Sequence, residues 1–336
     1  MRMCAIGLNR VRALVPLAAL AAFALTLGVA ACGSTGDEGT LSDSTEARTE
    51  EGSIPFNPEN RKVTLTIGAK NFPEQEILGE IYAQALAAAG FRVKTALNLG
   101  SETVALKALT SGQISGYPEY ASTALTSFFG FEPEEVPSNA EAAQQKANAE
   151  FLKDGLQTFN PTPFASGNAV GTTRATAEKY GLKTISDLKG VAGKLSLYGS
   201  PECRQRIDCL AGLEKLYGLK FKSFTPVDIG LRYTVLEKGQ ADLSILFTTD
   251  PQLSAESDKY VILKDDKHVF PAGNVIFVHK RSTAWEAGSG LELTIQAVQE
   301  GLSLKVMQEL NARVELEKET PKAAAKAYLE SAGYIG

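Results

Sequence analysis

Residues 63–97, VTLTIGAKNFPEQEILGEIYAQALAAAGFRVKTAL, contain the pattern that decides the fold. The first five residues alternate between apolar and polar side chains, which is typical of a β-strand with one buried face. A stripe of apolar side chains with helical spacing then runs from Ile77 to Leu86, and Gly90 ends it. The alternation resumes after that glycine. The stretch therefore predicts a strand, a helix and a second strand.

The same order of strands and helices recurs along the chain, in units of similar length. We predict further strands at 169–172, 195–197, 241–247 and 275–278, and further helices at 103–109, 176–180, 210–217, 231–238, 291–311 and 321–331. Strands that alternate with helices of this length favour a mostly parallel α/β sheet.

The length of the chain indicates more than one core. A chain of 336 residues exceeds what a single hydrophobic core usually supports, so we expect two lobes. In folds of this class a ligand binds beyond the carboxyl ends of the strands, in the cleft between lobes. Lys70 and Tyr120 both follow predicted strands. They are therefore expected at the edge of the cleft.

The N-terminus has the features of a lipoprotein signal peptide. Residues 1–31 carry three arginines and no acidic residue, and an apolar run from Ala13 to Val29 leads to small residues directly before Cys32. A transmembrane anchor is the alternative, but the run contains Pro16 and is short for a full span. We predict that Cys32 carries lipid and that the chain is anchored, without spanning, on the extracytoplasmic face of the cell membrane.

Residues 32–60 predict a disordered tether. The segment is acidic, is rich in Gly, Ser and Thr, and has almost no large apolar side chain, so it cannot bury enough surface to offset its ordering entropy. The whole chain has a formal net charge of −5. That acidity argues against nucleic acid as a partner.

The cysteines fit an exported protein. If Cys4 leaves with the signal peptide and Cys32 takes lipid, Cys203 and Cys209 are the pair that remains. Their spacing suits a small disulfide-closed loop in an oxidising compartment. A metal site with two thiolates is the alternative, but His268 and His279 lie far along the chain, and we expect neither metal nor cofactor.

Several short motifs resemble one family when they are taken in order from Val63 to near the C-terminus. They are IGAKNF (67–72), EQ (74–75), LNLG (97–100), YPEY (117–120), TAL (123–125), ISDL (185–188), FTTDP (247–251) and LKDD (263–266). Together they resemble the solute-binding proteins of ABC importers for glycine betaine, choline and related osmoprotectants. The segment from Pro201 to Cys209 resembles a subgroup found mainly in high-GC Gram-positive bacteria.

This resemblance implies a two-lobed periplasmic-binding-protein fold of type II, in which two doubly wound α/β lobes are joined by two crossover strands. Lobe 1 would comprise 61–166 and 273–336, and lobe 2 would comprise 167–272. The implied role is that of a monomeric binding protein. It would capture a quaternary-ammonium compound such as glycine betaine, choline or carnitine and deliver it to a permease with its ATPase.

The resemblance also implies roles for individual residues. The predicted ligand-binding residues are Lys70 and Thr123 on the carboxylate side, Arg204 with Arg206 as its rival, Tyr120 and Phe247 as aromatic walls, Asn168, and Tyr117. Asn168 and Leu210 stand where the family usually has tyrosines. Because side chains alternate along a strand, we expect Tyr120 to face the ligand and Tyr117 to be a packing residue.

Two other functions fit parts of the sequence. The loss of two rings at Asn168 and Leu210 favours a non-quaternary ligand, such as an amino acid derivative or a larger aromatic solute. An exported enzyme of the penicillin-binding type is more remote. Ser186 and Lys189 have the S-x-x-K spacing, but the sequence contains neither S-D-N nor K-T-G, and Ser186 is explained as a helix N-cap.

Overall fold

A computed structural model describes residues 53–336. The predicted signal peptide, Cys32 and most of the predicted tether lie outside these residues. None of the helices between Ser53 and Gly336 combines the length and apolarity needed to cross a membrane.

The described part of the chain contains eleven strands, several of them only two to four residues long. The strands are β1 (Thr64–Gly68), β2 (Arg92–Ala96), β3 (Gly116–Tyr120), β4 (Leu156–Thr158), β5 (Ala165–Ser166), β6 (Asn168–Thr173), β7 (Ser196–Gly199), β8 (Ser223–Pro226), β9 (Leu243–Phe247), β10 (Tyr260–Ile262) and β11 (Gly273–Lys280).

The same residues form twelve α-helices. The helices are α1 (Pro73–Ala88), α2 (Glu102–Thr110), α3 (Ala121–Thr123), α4 (Ala140–Phe151), α5 (Arg174–Tyr180), α6 (Leu210–Tyr217), α7 (Arg232–Glu237), α8 (Gln252–Ala255), α9 (Arg281–Ala287), α10 (Ser289–Glu300), α11 (Leu304–Glu315) and α12 (Pro321–Ser331). A short π-helix lies at Ala124–Phe128. Short 3-10 helices lie at Pro58–Lys62, Pro133–Glu135, Leu152–Asp154, Ile185–Gly190, Ala192–Lys194, Pro201–Arg204 and Ile229–Leu231.

The strands form two sheets. The first has the order β2-β1-β3-β11-β4, with β5 paired to β11, and the second has the order β10-β6-β9-β7-β8. The first sheet draws its strands from 64–166 and 273–280, and the second draws its strands from 168–262. This is the two-lobed α/β fold that the sequence predicts. The exact residue ranges of the two lobes stay a prediction.

Two neighbouring segments connect the lobes. β5 pairs antiparallel with the start of β11, in the register Gly273 with Ser166 and Asn274 with Ala165. Gly273 is needed at this point because a Cβ atom there would lie 2.2 Å from the hydroxyl oxygen of Ser122 and 2.8 Å from its backbone nitrogen. The two crossings are therefore paired with each other and lie against the end of β3.

The prediction of mostly parallel sheets was wrong. β1 pairs in parallel with β2 and β3, and β7 pairs in parallel with β8 and β9. β11 is antiparallel to β3, β4 and β5, and β6 is antiparallel to β9 and β10. The antiparallel strands begin at or next to the crossings. They enter their sheets from the other lobe and not through a crossover helix.

The tyrosines of the YPEY motif lie within β3, and not after it. Tyr117 pairs with Val278 and Tyr120 pairs with Val275 across the antiparallel ladder to β11. Tyr117 is fully buried in a cluster between α2, α4 and the sheet, whereas Tyr120 belongs to the cluster beneath α1. The two rings therefore lie on opposite faces of the sheet, as the alternation of side chains requires.

Two sequence-based boundaries need correction. The predicted tether ends earlier than residue 60, because Ile54 donates from its backbone to Tyr334 and Asn57 donates to Ala89, which fixes this segment to the first lobe. The predicted helix 291–311 is two helices. Ser303 accepts a hydrogen bond from Val306 N at 3.3 Å and so starts α11 as a new helix.

Candidate functional site

A cleft opens between the two sheets. It encloses about 860 Å³, its solvent-open mouth included. The first lobe contributes the loop after β1, the start of α2 and the end of β3. The second lobe contributes the disulfide loop 203–209, the start of α7 and the end of β9, and the crossing segment 166–168 lies at the back. The cleft thus lies where the carboxyl ends of several strands meet.

The structure brings together most of the predicted ligand-binding residues and leaves some of them outside. Those that line the cleft are Lys70, Tyr120, Thr123, Asn168, Arg206 and Phe247. Tyr117 and Arg204 do not line it, and neither does Leu210, which stands where the family usually has a tyrosine. Leu210 is the first residue of α6 and packs in the core of the second lobe, so it is not a cleft wall.

Arg204 and Arg206 lie in the same disulfide-closed loop but have different surroundings. A disulfide joins Cys203 to Cys209, and both cysteines are buried and line the cleft. Arg204 is exposed, and its guanidinium stacks 4.9 Å from the ring centroid of Phe224 on the outer surface. Arg206 points the other way, into the cleft. Of the two rivals, Arg206 is the one in position to meet a ligand.

Three rings form the aromatic part of the cleft. Phe72 stacks nearly parallel to Tyr120 with a centroid distance of 6.4 Å and is tilted against Phe247 at 5.4 Å. Phe72 lies in the quoted motif, but the sequence did not identify it as a site residue because it immediately precedes α1 and resembles the start of a helix. The aromatic walls are therefore Phe72, Tyr120 and Phe247.

The protein's own cations already lie against these rings. The ammonium of Lys70 is 4.6 Å from the centroid of Tyr120 and 5.7 Å from that of Phe72. The guanidinium of Arg232 is 4.1 Å from the centroid of Phe247. These are distances at which ring faces attract cations. Lys70 therefore covers one face of Tyr120, and Arg232 covers one face of Phe247.

A buried carboxylate lies under the floor of the cleft. Glu119 is fully buried in β3 and forms an ion pair with the Lys70 ammonium. It also accepts hydrogen bonds from the backbone N–H of Tyr120 at 2.8 Å and from the hydroxyl of Tyr117 at 3.2 Å. Buried charges need such partners. Tyr117 is therefore a supporting residue, which helps to hold the carboxylate that pairs with Lys70.

Arg206 connects the two lobes. Its guanidinium binds both carboxylate oxygens of Asp208, at 2.8 and 2.6 Å, and reaches Glu102 of α2 at 3.4 Å. The hydroxyl of Thr126, in the first lobe, donates to Asp208 at 3.0 Å. Burial alone would raise the pKa of Asp208, but Arg206 outweighs burial and lowers that pKa below its ordinary value.

Arg232 is a cleft residue that the sequence did not single out, because it lies within an ordinary helical pattern. Its Nη2 donates to Asp250 at 2.9 Å and its Nε donates to the carbonyl of Ile229 at 2.6 Å. Asp250 also accepts from the backbone N–H of Phe247 at 2.9 Å and from the hydroxyl of Tyr233 at 3.0 Å. This network fixes the position of Arg232 beside Phe247.

Glu74 supports the aromatic wall from behind. One of its oxygens accepts a hydrogen bond from the hydroxyl of Tyr120 at 2.6 Å, and the other accepts from the amide of Asn311 at 2.8 Å. Burial raises the pKa of Glu74, although the hydrogen bonds from Thr249, Tyr120 and Asn311 oppose the shift. Glu74 therefore links the ring of Tyr120 to the second lobe through Thr249.

Acidic groups outnumber basic groups at the cleft. The basic lining residues are Lys70, Arg206 and Arg232, and the acidic groups that line the cleft or pair with them are Glu102, Glu119, Glu202, Asp208 and Asp250. An acidic cleft with ring faces suits a small cation or zwitterion better than an anion. Between Ser53 and Gly336, no three Asp, Glu, His or Cys side chains converge to hold a metal ion.

Ser186 lies away from this cleft. It donates to the carboxylate of Asp266 at 2.5 Å on the surface of the second lobe. The side chain that caps its helical turn belongs to Thr184, whose partner in a capping box is Asp187, and the prediction of Ser186 as the N-cap was wrong.

Comparison with known proteins settles the family. Residues 63–331 match the family model described as the substrate binding domain of ABC-type glycine betaine transport system. The chain belongs to this family. Family members are the substrate-binding components of ABC transporters, and the described fold is the one that the family resemblance implies.

Two curated relatives and one solved structure illustrate the likeness. A glycine-betaine-binding protein of Pseudomonas aeruginosa is 33% identical over 279 residues, which cover 79% of this chain and 87% of the relative. The ergothioneine transport permease/ergothioneine binding protein EgtU of Helicobacter pylori is 30% identical over 83% of this chain, and the match spans about half (49%) of that longer relative. A crystal structure of a glycine betaine/carnitine/choline ABC transporter aligns with a TM-score of 0.63, at 26% identity, over 81% of this chain and 100% of that one.

The arginine pair of the disulfide loop provides a matched test of the site geometry. Arg206→Ala leaves Asp208 and Glu102 without their cation, so we expect it to lower the free energy of unfolding by about 3–5 kcal/mol. Arg204→Ala removes an exposed side chain from the same loop and should change it by about 0.5 kcal/mol or less. Denaturant unfolding of both variants measures the difference, and equal effects would contradict the inward position of Arg206.

The raised pKa of Glu74 predicts a pH dependence of stability. Above pH 4.5, the unfolded chain loses the Glu74 proton while the folded protein keeps it until its higher pKa is reached. The free energy of unfolding contributed by this group therefore falls as pH rises through that window. Glu74→Gln should remove this part of the profile, as measured by denaturant unfolding between pH 4 and 8.

Glu76 of the same helix is the control for this measurement. Its pKa is also raised by burial, but it is only half-buried, so Glu76→Gln should flatten the profile less than Glu74→Gln. If the wild type and Glu74→Gln had parallel pH profiles, the pKa of Glu74 would not be raised in the folded protein.

Proposed function

We propose that the protein captures a small quaternary-ammonium osmoprotectant of the glycine betaine, carnitine and choline type and delivers it to the permease of an ABC importer. The observation that carries this proposal is the group of ring faces formed by Phe72, Tyr120 and Phe247 in an acidic inter-lobe cleft. A trimethylammonium group is poorly hydrated and carries a spread positive charge, so it binds well against electron-rich rings.

The surroundings of the rings support the same ligand class. Glu102, Asp208 and Arg206 together carry one more negative than positive charge, which attracts a cation into the cleft. The glycine-betaine-binding relative of Pseudomonas aeruginosa and the similar glycine betaine/carnitine/choline ABC transporter support this ligand class. Small clefts that close between two lobes are typical sites for solutes of this size.

The lipid anchor is part of the proposal. A lipid on Cys32 would hold the protein at the extracytoplasmic face of the membrane, next to its permease. The ligand would reach the cleft from outside the cell, and the loaded protein would dock on the permease as a monomer.

A larger betaine is a second candidate ligand. Asn168 lines the cleft with an amide in a position where the family resemblance leads one to expect a ring, and this amide donates to the backbone of Asp208 at 2.9 Å. A side-chain amide can also form hydrogen bonds with the polar atoms of a ring in the ligand. The ergothioneine-binding relative makes a quaternary amine with an aromatic substituent a specific alternative to test.

A ligand panel tests the proposed function. The purified protein should be titrated calorimetrically with glycine betaine, carnitine, choline, ergothioneine and proline, with thermal unfolding in parallel. At a hundred times its dissociation constant, a bound ligand stabilises the folded state by about 2.7 kcal/mol, which is visible as a shift of a few degrees. Binding of proline but of none of the four quaternary amines would contradict the proposal.

Tyr120 provides the sharpest mutational test of the ring site. Tyr120→Ala removes a ring face and its apolar contact, so it should weaken the binding of the preferred quaternary amine by about 1–3 kcal/mol. Tyr120→Phe keeps the ring and loses only the hydrogen bond to Glu74, so its affinity should stay close to that of the wild type. Calorimetric titration of both variants measures the difference.

Tyr117 is the matched control, since it lies in the same strand and faces away from the cleft. Tyr117→Ala opens a hole in a fully buried cluster and should lower the free energy of unfolding by about 3–5 kcal/mol, with less effect on affinity than on stability. An affinity that does not respond to Tyr120→Ala would mean that the tyrosine is only a packing residue.

A further inference from the structure

Three basic side chains line the cleft, and they differ in how far their hydrogen-bond donors are already used. They are Lys70 from the first lobe, Arg206 from the disulfide loop and Arg232 from the start of α7. A ligand carboxylate binds most strongly to a cation that still has a free hydrogen-bond donor. The pairing of each cation therefore predicts which of the three receives the anionic end of a solute.

Lys70 and Arg206 are already matched by carboxylates of the protein. Lys70 forms a buried ion pair with Glu119. All three nitrogens of the Arg206 guanidinium are in contact with Asp208 or Glu102. Because Arg206 faces two carboxylates, its surroundings have a net negative charge, which repels a ligand carboxylate. The predicted carboxylate side of the cleft is thus the less favourable end for an anion.

Arg232 differs from both, because one of its nitrogens has no partner. Its Nε and Nη2 are used by Ile229 and Asp250, whereas its Nη1 is buried and has no hydrogen-bond partner among residues 53–336. An unpaired buried donor of a charged group is costly, and native proteins rarely keep one without a reason. An acceptor atom supplied by a ligand would remove that cost.

The position of Arg232 is fixed before any ligand arrives. Only 4% of its surface is exposed, and its guanidinium lies 4.1 Å from the ring centroid of Phe247. Asp250 balances its charge one to one. A fixed donor loses little entropy when it binds.

We propose that Arg232 is the carboxylate receptor of the cleft, and that it makes the protein selective for quaternary amines that carry a carboxylate over those that do not. This inference rests on the proposed function. The trimethylammonium group would lie against Phe72 and Tyr120, the carboxylate would accept a hydrogen bond from Nη1 of Arg232, and Phe247 would serve mainly to orient the guanidinium.

Glycine betaine and choline form a suitable pair of probes. Both carry a trimethylammonium group on a two-carbon chain, but glycine betaine ends in a carboxylate and choline ends in a hydroxyl. Calorimetric titration of the wild type with each probe gives a betaine-to-choline affinity ratio. We expect this ratio to exceed one, and it should fall by about 10- to 100-fold in Arg232→Gln, mainly through weaker betaine binding.

Two further variants separate ligand contact from support of the fold. Arg232→Lys keeps the positive charge beside Asp250 but has no donor at the position of Nη1. It should therefore also lower the ratio while choline binding is retained. Arg204→Gln removes a guanidinium of the same lobe that is exposed and lies outside the cleft, so its ratio should stay within about threefold of the wild type. Choline binding and thermal unfolding show whether each variant is folded. If Arg232→Gln does not fold, the affinity ratio of Arg232→Lys tests the proposal.

Each outcome has a defined meaning. An unchanged ratio in the arginine variants, or an equal loss of both ligands, overturns the role of Arg232 and leaves the proposed function standing. A wild-type preference for choline also overturns it. If the wild type binds no quaternary amine, the proposed function fails together with this inference.

Discussion

The antiparallel pairing of β11 with β3 and β5 is the constraint on which the rest of the structure depends. β11 begins at a crossing between the lobes, where Gly273 pairs with Ser166, and then runs beside β3 through the centre of the first sheet. Its register places Tyr120 opposite Val275 and Tyr117 opposite Val278. The same strand therefore joins the lobes and determines which tyrosine faces the cleft.

Proline in a central strand fits this arrangement. Pro118 has no N–H to donate, and the described pairing of β3 with β1 is confined to Gly116 opposite Ile67. The ladder to β11 continues from Gly116 to Tyr120 on the other side. Beyond that pairing, Glu119 of β3 forms an ion pair with Lys70, which follows β1.

Burial of charge explains the chemistry of the cleft. Glu119, Asp208 and Asp250 are all buried carboxylates, and each one is matched by a basic residue that lines the cleft. Such pairs hold their members in fixed positions because either charge alone would be costly to bury. The cleft therefore holds its basic side chains and its ring faces in fixed positions, as the proposed zwitterionic ligand requires.

The sequence predicts the elements of the fold better than their directions. The bounds of α6 and α12 agree with the predictions because each helix has a clear apolar stripe and an end signal, Gly218 for α6 and the capping Thr320 for α12. The direction of β11 and β6 was missed, because it depends on which lobe the chain has just left. The pattern of one strand does not contain that information.

The sequence predicts site residues that lie at the carboxyl ends of strands, but it does not predict those whose position depends on burial. Lys70 and Tyr120 line the cleft because the ends of parallel strands meet at one edge. Arg204 and Arg206 are two residues apart in one loop, and only the fold of the disulfide loop shows which one turns inward. Arg232 resembles any polar residue of a short helix until its buried contacts are known.

A crystal structure of the complex with glycine betaine tests the proposed binding mode most directly. We expect the ammonium nitrogen to lie within about 6 Å of the ring centroids of Phe72 and Tyr120. We also expect a carboxylate oxygen to lie within about 3.2 Å of Nη1 of Arg232. A ligand whose carboxylate binds Arg206, with its ammonium group away from the three rings, would contradict this binding mode.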